Sequence, residues 1–80
     1  MISYRRLWET MRCQGVSQYI LIHVYHVSPG QITRLKRDES VSTHTIGMFC
    51  KILHCRVEDI MEYIPDSPEN EEETKLKNRE

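Results

Sequence analysis

The sequence contains no alanine, so the strongest helix former is missing and helices here must rest on caps and on packed apolar faces. Long apolar runs are missing as well. The longest unbroken one, Tyr19 to Ile22, falls far short of the roughly 20 residues that a membrane span needs. The opening MISYRRLW has no apolar stretch of signal-peptide length, which points away from export. Only three cysteines are present, an odd number that argues against a disulfide framework and for a reducing, cytoplasmic setting. A chain of 80 residues buries a modest fraction of its surface, which excludes a Rossmann unit, a barrel or a large catalytic cleft. There is no nucleophile elbow, no phosphate-binding glycine loop and no paired acid, and His23, His26, His44 and His54 are scattered. No catalytic residue, and no enzyme, is expected.

What is present divides unevenly. Residues 1–65 hold eight Lys/Arg and six Asp/Glu, a net of +2, while residues 66–80 hold three and six, a net of −3; the total is −1. Of the 31 apolar residues, all but Leu76 precede Pro65. The reading is one domain over 1–65 followed by a polar, acidic tail over 66–80. That tail has too little apolar material to offset the entropy of ordering it and is expected to be disordered.

Caps and turns cut residues 1–65 into short helices. Ser3 is placed to cap a first helix with Tyr4, Leu7, Trp8 and Met11 at i, i+3, i+4 and i+7, ending near Gly15. Ser17 opens a second. Ser28 opens a third, with Pro29 at its first position and Gln31 placed to complete a capping box. Ser42 or Thr43 opens a fourth, whose stripe is Ile46, Phe49, Cys50 and Leu53. A short fifth is expected from Val57 to Tyr63, with Glu58 and Asp59 in its first turn. The segment from Val16 to Val27 is rich in β-branched and aromatic residues and reads as a strand on propensity alone. A lone strand among helices would have no partner, so helix is preferred. Leu21, Val24 and either Ile20 or Tyr25 are expected to pack inward from it.

A capped helix, a short turn at His26-Val27-Ser28 and a second capped helix make a helix-turn-helix. The pattern Val16-Ser17-Gln18-x-x-Leu21, then Val27-Ser28-x-x-x-Ile32-x-x-Leu35, resembles the Cro/Xre family of phage-repressor-like DNA-binding domains. The stretch from Val41 through Cys55 to Ile64 is similar to the later helices of that family. The resemblance implies an all-α, compact five-helix domain, a small transcription regulator or repressor that binds double-stranded DNA, usually as a homodimer. It places the third helix, about 29–37, in the major groove and gives Gln18 a phosphate-binding role. His26 stands where the family usually has a left-handed glycine, and Ile22 where it has a small residue.

The helical period identifies the reading face independently. With Ile32 and Leu35 turned to the core, Gly30, Thr33, Arg34 and Arg37 lie opposite. Arg34 suits a bidentate contact to guanine and Thr33 a thymine methyl or a phosphate. Lys36, Arg37, Ser28 and the amides near Gly30 suit phosphates, and Gln31 completes the candidate set. Cations in a last helical turn are also favourable without any ligand, so the cluster alone is not diagnostic. Arg5 and Arg12 share a solvent face with Glu9 and read as solubilising.

Cys13, Cys50 and Cys55 with His54 do not make a zinc site. Cys50 and Cys55 are five apart, about 140° around a helix, and no close pair sits on a turn. Neither a metal nor another cofactor is expected, and a redox role for Cys13 or Cys55 is a distant alternative. Met61, Tyr63 and Ile64 are the candidate dimer surface. The second helix carries more apolar residues than one buried face needs, with Tyr19, Ile22 or Tyr25 left over. The alternative reading is therefore a protein-binding helix-turn-helix module, an antitoxin or accessory regulator, with a protein partner on that surface.

Overall fold

A computed structural model describes residues 1–65; the expected acidic tail, 66–80, lies outside the described residues. The elements are β1 (Ile2–Ser3), α1 (Arg5–Gln14), α2 (Gln18–His23), α3 (Pro29–Lys36), α4 (Thr43–Leu53), a single 3₁₀ turn (Val57–Asp59) and β2 (Glu62–Tyr63).

Side-chain oxygens start three of the four helices. Ser17 Oγ accepts from the Ile20 amide, Ser28 Oγ from that of Gln31 and Ser42 Oγ from that of Thr45, each satisfying an otherwise orphaned donor. The α3 capping box is only half made. Gln31 accepts nothing in return, and its Oε1 is buried without a partner. α1 begins differently. Ser3 Oγ accepts from the Arg5 amide at 3.2 Å, and the Tyr4 amide donates to Asp38 Oδ1 at 3.0 Å. The cap position is thus Tyr4 rather than Ser3, and a carboxylate from elsewhere in the chain sits at the positive end of the helix dipole.

Every helix supplies the core: Tyr4, Leu7 and Met11 from in and around α1, Leu21 from α2, Ile32 and Leu35 from α3, and Ile46, Phe49 and Leu53 from α4. Val27 and Ile60 close it from the connections. Each such aliphatic or aromatic side chain contributes on the order of 1.5–3 kcal/mol by leaving water. Tyr4 is buried with its hydroxyl donating to the Glu39 carbonyl at 2.9 Å, and burial pushes its phenol above the ordinary value.

Further expectations are corrected. The segment after α4 does not form a fifth helix. One 3₁₀ turn, held by Asp59 Oδ2 accepting from the Arg56 amide, gives way to the extended pair Glu62–Tyr63. It lies antiparallel to β1 with Ile2 opposite Tyr63 and Ser3 opposite Glu62. A helix of two turns recovers few hydrogen bonds for its nucleation, whereas the ribbon gains ladder bonds, extended by Ile64 N–H to the Met1 carbonyl at 2.8 Å. Glu62 is also gripped by Arg5 at 2.7 Å and Arg6 at 3.1 Å, so Arg5 is an ion-pair residue rather than a merely solubilising one. Val24, too, is exposed rather than buried. Val24 is the C-cap of α2, its N–H still bonded to the Ile20 carbonyl, and beyond it Val27 is the turn residue that enters the core.

Candidate nucleic-acid interface

α2, the turn over residues 24–28 and α3 form the helix-turn-helix. The turn is closed by Val24 N–H to the Ile20 carbonyl at 2.9 Å and Val27 N–H to the Leu21 carbonyl at 2.9 Å. His26 between them has φ 60°, the left-handed backbone expected at that position. Val27 then enters the core, which fixes where α3 departs. Ile22 lies half-buried against that core, so the larger side chain is accommodated at the margin of the helix pair.

α3 is anchored by Ile32 and Leu35, both buried, and Pro29, Gly30, Thr33, Arg34 and Lys36 are exposed. Successive residues are turned by about 100°. Gly30, Thr33, Arg34 and Arg37 therefore share one outward arc, while Lys36 stands on a flank beside Ile32 and Gln31 on the opposite flank, half-buried. The Thr33 hydroxyl donates to the Pro29 carbonyl at 3.0 Å, leaving its methyl and its lone pairs to an incoming group. Ser28 is an N-cap, its Oγ already accepting from Gln31. Gln18 is the first residue of α2, half-buried beside the N-cap Ser17.

Of the arginines, Arg34 carries no ion pair among the described residues. Arg37 lies 3.9 Å from the Glu39 carboxylate with 71% of its side chain exposed, a separation at which solvent screens most of the attraction. The loop that follows is held firmly. Glu39 N–H donates to the Arg34 carbonyl at 2.9 Å, Asp38 turns through φ 54°, and its carboxylate reaches the Tyr4 amide. Asp38 thus ties the end of α3 to the start of α1, a positioning role that sequence reasoning missed. The signal was faint: Asp is among the few non-glycine residues that tolerate the left-handed region.

Met61, Tyr63 and Ile64 lie in and beside β2 rather than on a helix. Tyr63 is exposed, Ile64 half-buried, and Met61 packs partly against the core. Among the described residues no group of His, Cys, Asp and Glu is arranged to hold a metal, and no helix is long and apolar enough to cross a membrane.

An outward helix face of two arginines, a threonine and a glycine, placed by a capped helix and a left-handed turn, defines a helix-turn-helix domain. The family model for the Cro/C1-type helix-turn-helix DNA-binding domain matches residues 6–66, and the chain belongs to that family. Its fold is also similar to the crystal structure of the transcriptional regulator VanUg, with a TM-score of 0.73 and 28% identity over 81% of this chain and 87% of that one. No curated protein matches the sequence.

Proposed function

We propose that this chain is a small transcription regulator that inserts α3 into the major groove of double-stranded DNA, acting as a homodimer. The observation that carries the reading is the segregation of α3: Ile32 and Leu35 are buried, and Gly30, Thr33, Arg34 and the following Arg37 face solvent with no obligatory partner inside the domain. Membership in a DNA-binding family and likeness to a transcriptional regulator support it. In this reading Arg34 reads a guanine and Thr33 meets a thymine methyl. Gln18, Ser28, Lys36 and Arg37 take phosphates, with amides near Gly30. Gln31, half-buried with its Oε1 enclosed, stands at the margin of this surface. Tyr63, Ile64 and Met61 would form the two-fold contact that sets recognition helices about 34 Å apart.

The test is a salt titration of binding to the selected operator. Log affinity falls with log salt at about −0.9 per phosphate contact. Arg37→Ala flattens that slope by about one unit per subunit and weakens all sequences alike. Arg34→Ala costs roughly 1–3 kcal/mol on the preferred site and relaxes one base pair. If both changes leave affinity untouched over about 50–200 mM salt, α3 is not the reader. Sedimentation of Tyr63→Glu tests the dimer contact.

A specific observation favours a second reading, the protein-binding module. Tyr19, Val24 and Tyr25, at 69%, 59% and 44% exposure, leave apolar side chains open to solvent on α2 and its turn. In that reading Tyr19→Glu abolishes activity without unfolding, and the arginine changes are harmless.

A further inference from the structure

The cysteines that looked badly spaced in the sequence are brought together by the end of α4. The helix stops at Leu53, and His54 takes φ 48°. The chain then doubles back so that Cys55 N–H donates to the Cys50 carbonyl at 3.1 Å. This is the six-to-one hydrogen bond of a Schellman ending, in which the side chains of the two bonded residues commonly meet. A continuous helix would separate them by about 140°; the left-handed residue cancels that separation. Covalent geometry on either side of the 3.1 Å bond keeps the two Cα atoms within about 7 Å, and bending at the amide and the carbonyl shortens this into the range that a disulfide spans, about 4.4–6.8 Å. Both side chains are half-buried against the core and both thiols are free, whereas Cys13 is exposed on α1. The two thiols also sense each other: burial chiefly, and then Cys50, holds the Cys55 thiol above its ordinary value.

We propose that Cys50 and Cys55 form a dithiol modification site that closes to an intramolecular disulfide when the chain meets a hydroperoxide. One cysteine loses its proton and attacks a peroxide oxygen as the thiolate, the O–O bond breaks, and the departing hydroxide takes up that proton, leaving a sulfenic acid and water. The second thiol then attacks the sulfenic sulfur, forming the S–S bond and releasing a second water. Both sulfurs are oxidised by one electron each, and hydrogen peroxide is reduced by two. The ring closes over the end of α4, where Gln14 Nε2 already holds the Leu53 carbonyl at 2.6 Å, so no other element has to move.

Tryptic mapping separates the outcomes, because Lys51 lies between the two cysteines. The reduced full chain is treated with hydrogen peroxide, remaining thiols are alkylated, and the digest is read by mass spectrometry without reduction. The expected product is monomeric, joins peptide 38–51 to peptide 52–56, reverts with dithiothreitol, and leaves Cys13 alkylated on peptide 13–34. In urea, where the Schellman ending is lost, pairings with Cys13 should appear as well. Cys13→Ser should leave the native product unchanged and Cys50→Ser should abolish it. Recovery of peptides 38–51 and 52–56 unlinked, as alkylated thiols or as sulfinic acids, would overturn the proposal. So would a native mixture of pairings equal to that in urea.

Discussion

His26, Asp38 and His54 all follow helices in the left-handed region, at φ 60°, 54° and 48°, and only α1 uses a glycine, Gly15 at φ 70°. A Cβ in that region costs roughly 1–2 kcal/mol relative to glycine, with Asn, Asp and His at the tolerant end. Replacement by glycine recovers this strain but gives the unfolded chain more freedom, a loss of about 0.4–1 kcal/mol. The side chains of His26 and His54 are exposed and make no hydrogen bond or ion pair among the described residues. His26→Gly and His54→Gly should therefore each stabilise by about 0.5–1 kcal/mol, raising the midpoint of thermal unfolding by about 2–8 °C in a domain of this size.

Asp38 has the same backbone and the opposite expectation. Its carboxylate accepts the Tyr4 amide at 3.0 Å, and a hydrogen bond to a charged group is worth about 1.5–3 kcal/mol. The same charge at the start of α1 adds about 0.3–1 kcal/mol. These losses exceed the relieved strain, so Asp38→Gly should lower the midpoint by several degrees. Asp38→Asn keeps an acceptor and a left-handed preference and should fall less. Circular dichroism melts of the four variants decide the matter. If Asp38→Gly rises together with the two histidine changes, the Asp38–Tyr4 bond contributes nothing. If both histidine changes lower the midpoint, the strain argument is wrong.

Gly47 sits inside α4 with open space where a Cβ would stand, so Gly47→Ala should stabilise by about 0.5–1 kcal/mol, read from urea midpoints at unchanged slope. Glu62 has its carboxyl held below the ordinary value by hydrogen bonds from Arg6 and then Arg5. Its contribution is present above about pH 4.3, the ordinary glutamate value, and is lost as pH falls through the lower native one. Acid titration of stability should accordingly be shallower for Glu62→Gln than for the parent, and identical curves would show that the two arginines do not stabilise the ribbon.

Features written in single residues at fixed offsets were legible in the sequence. Ser17, Ser28 and Ser42 announce three helices because a hydroxyl bonding the amide three residues on is a local event. The buried and outward faces of α3 follow from Ile32, Leu35 and a period of about 3.6 residues. The ribbon was not legible, because strands of two residues leave no alternation to detect and Ser3 meets Glu62 only through the tertiary fold. Once Glu62 is drawn to Arg5 and Arg6, the extended backbone follows, and local helix propensity from Val57 onward is overridden.

Helix ends account for most of what remained hidden. Glycine marks a helix ending plainly, and the sequence places the end of the first helix near Gly15; His54 and Asp38 mark theirs silently, because most histidines and aspartates lie elsewhere. Missing the turn at His54 led to the projection of Cys50 and Cys55 around a helix that had already ended. Missing the turn at Asp38 concealed the carboxylate that fastens the end of α3 to α1. The same type of ending, with a backbone bond five residues back, recurs after α1 (Val16 to Met11), α3 (Glu39 to Arg34) and α4 (Cys55 to Cys50). What accompanies each differs: Val16 and Met11 pack on the core at the first, Glu39 is left 3.9 Å from Arg37 at the second, and two thiols stand at the third. One backbone device thus packs the core, places an acid beside the proposed reading face and sets two oxidisable sulfurs at one helix end, and the side chains flanking each left-handed position decide which.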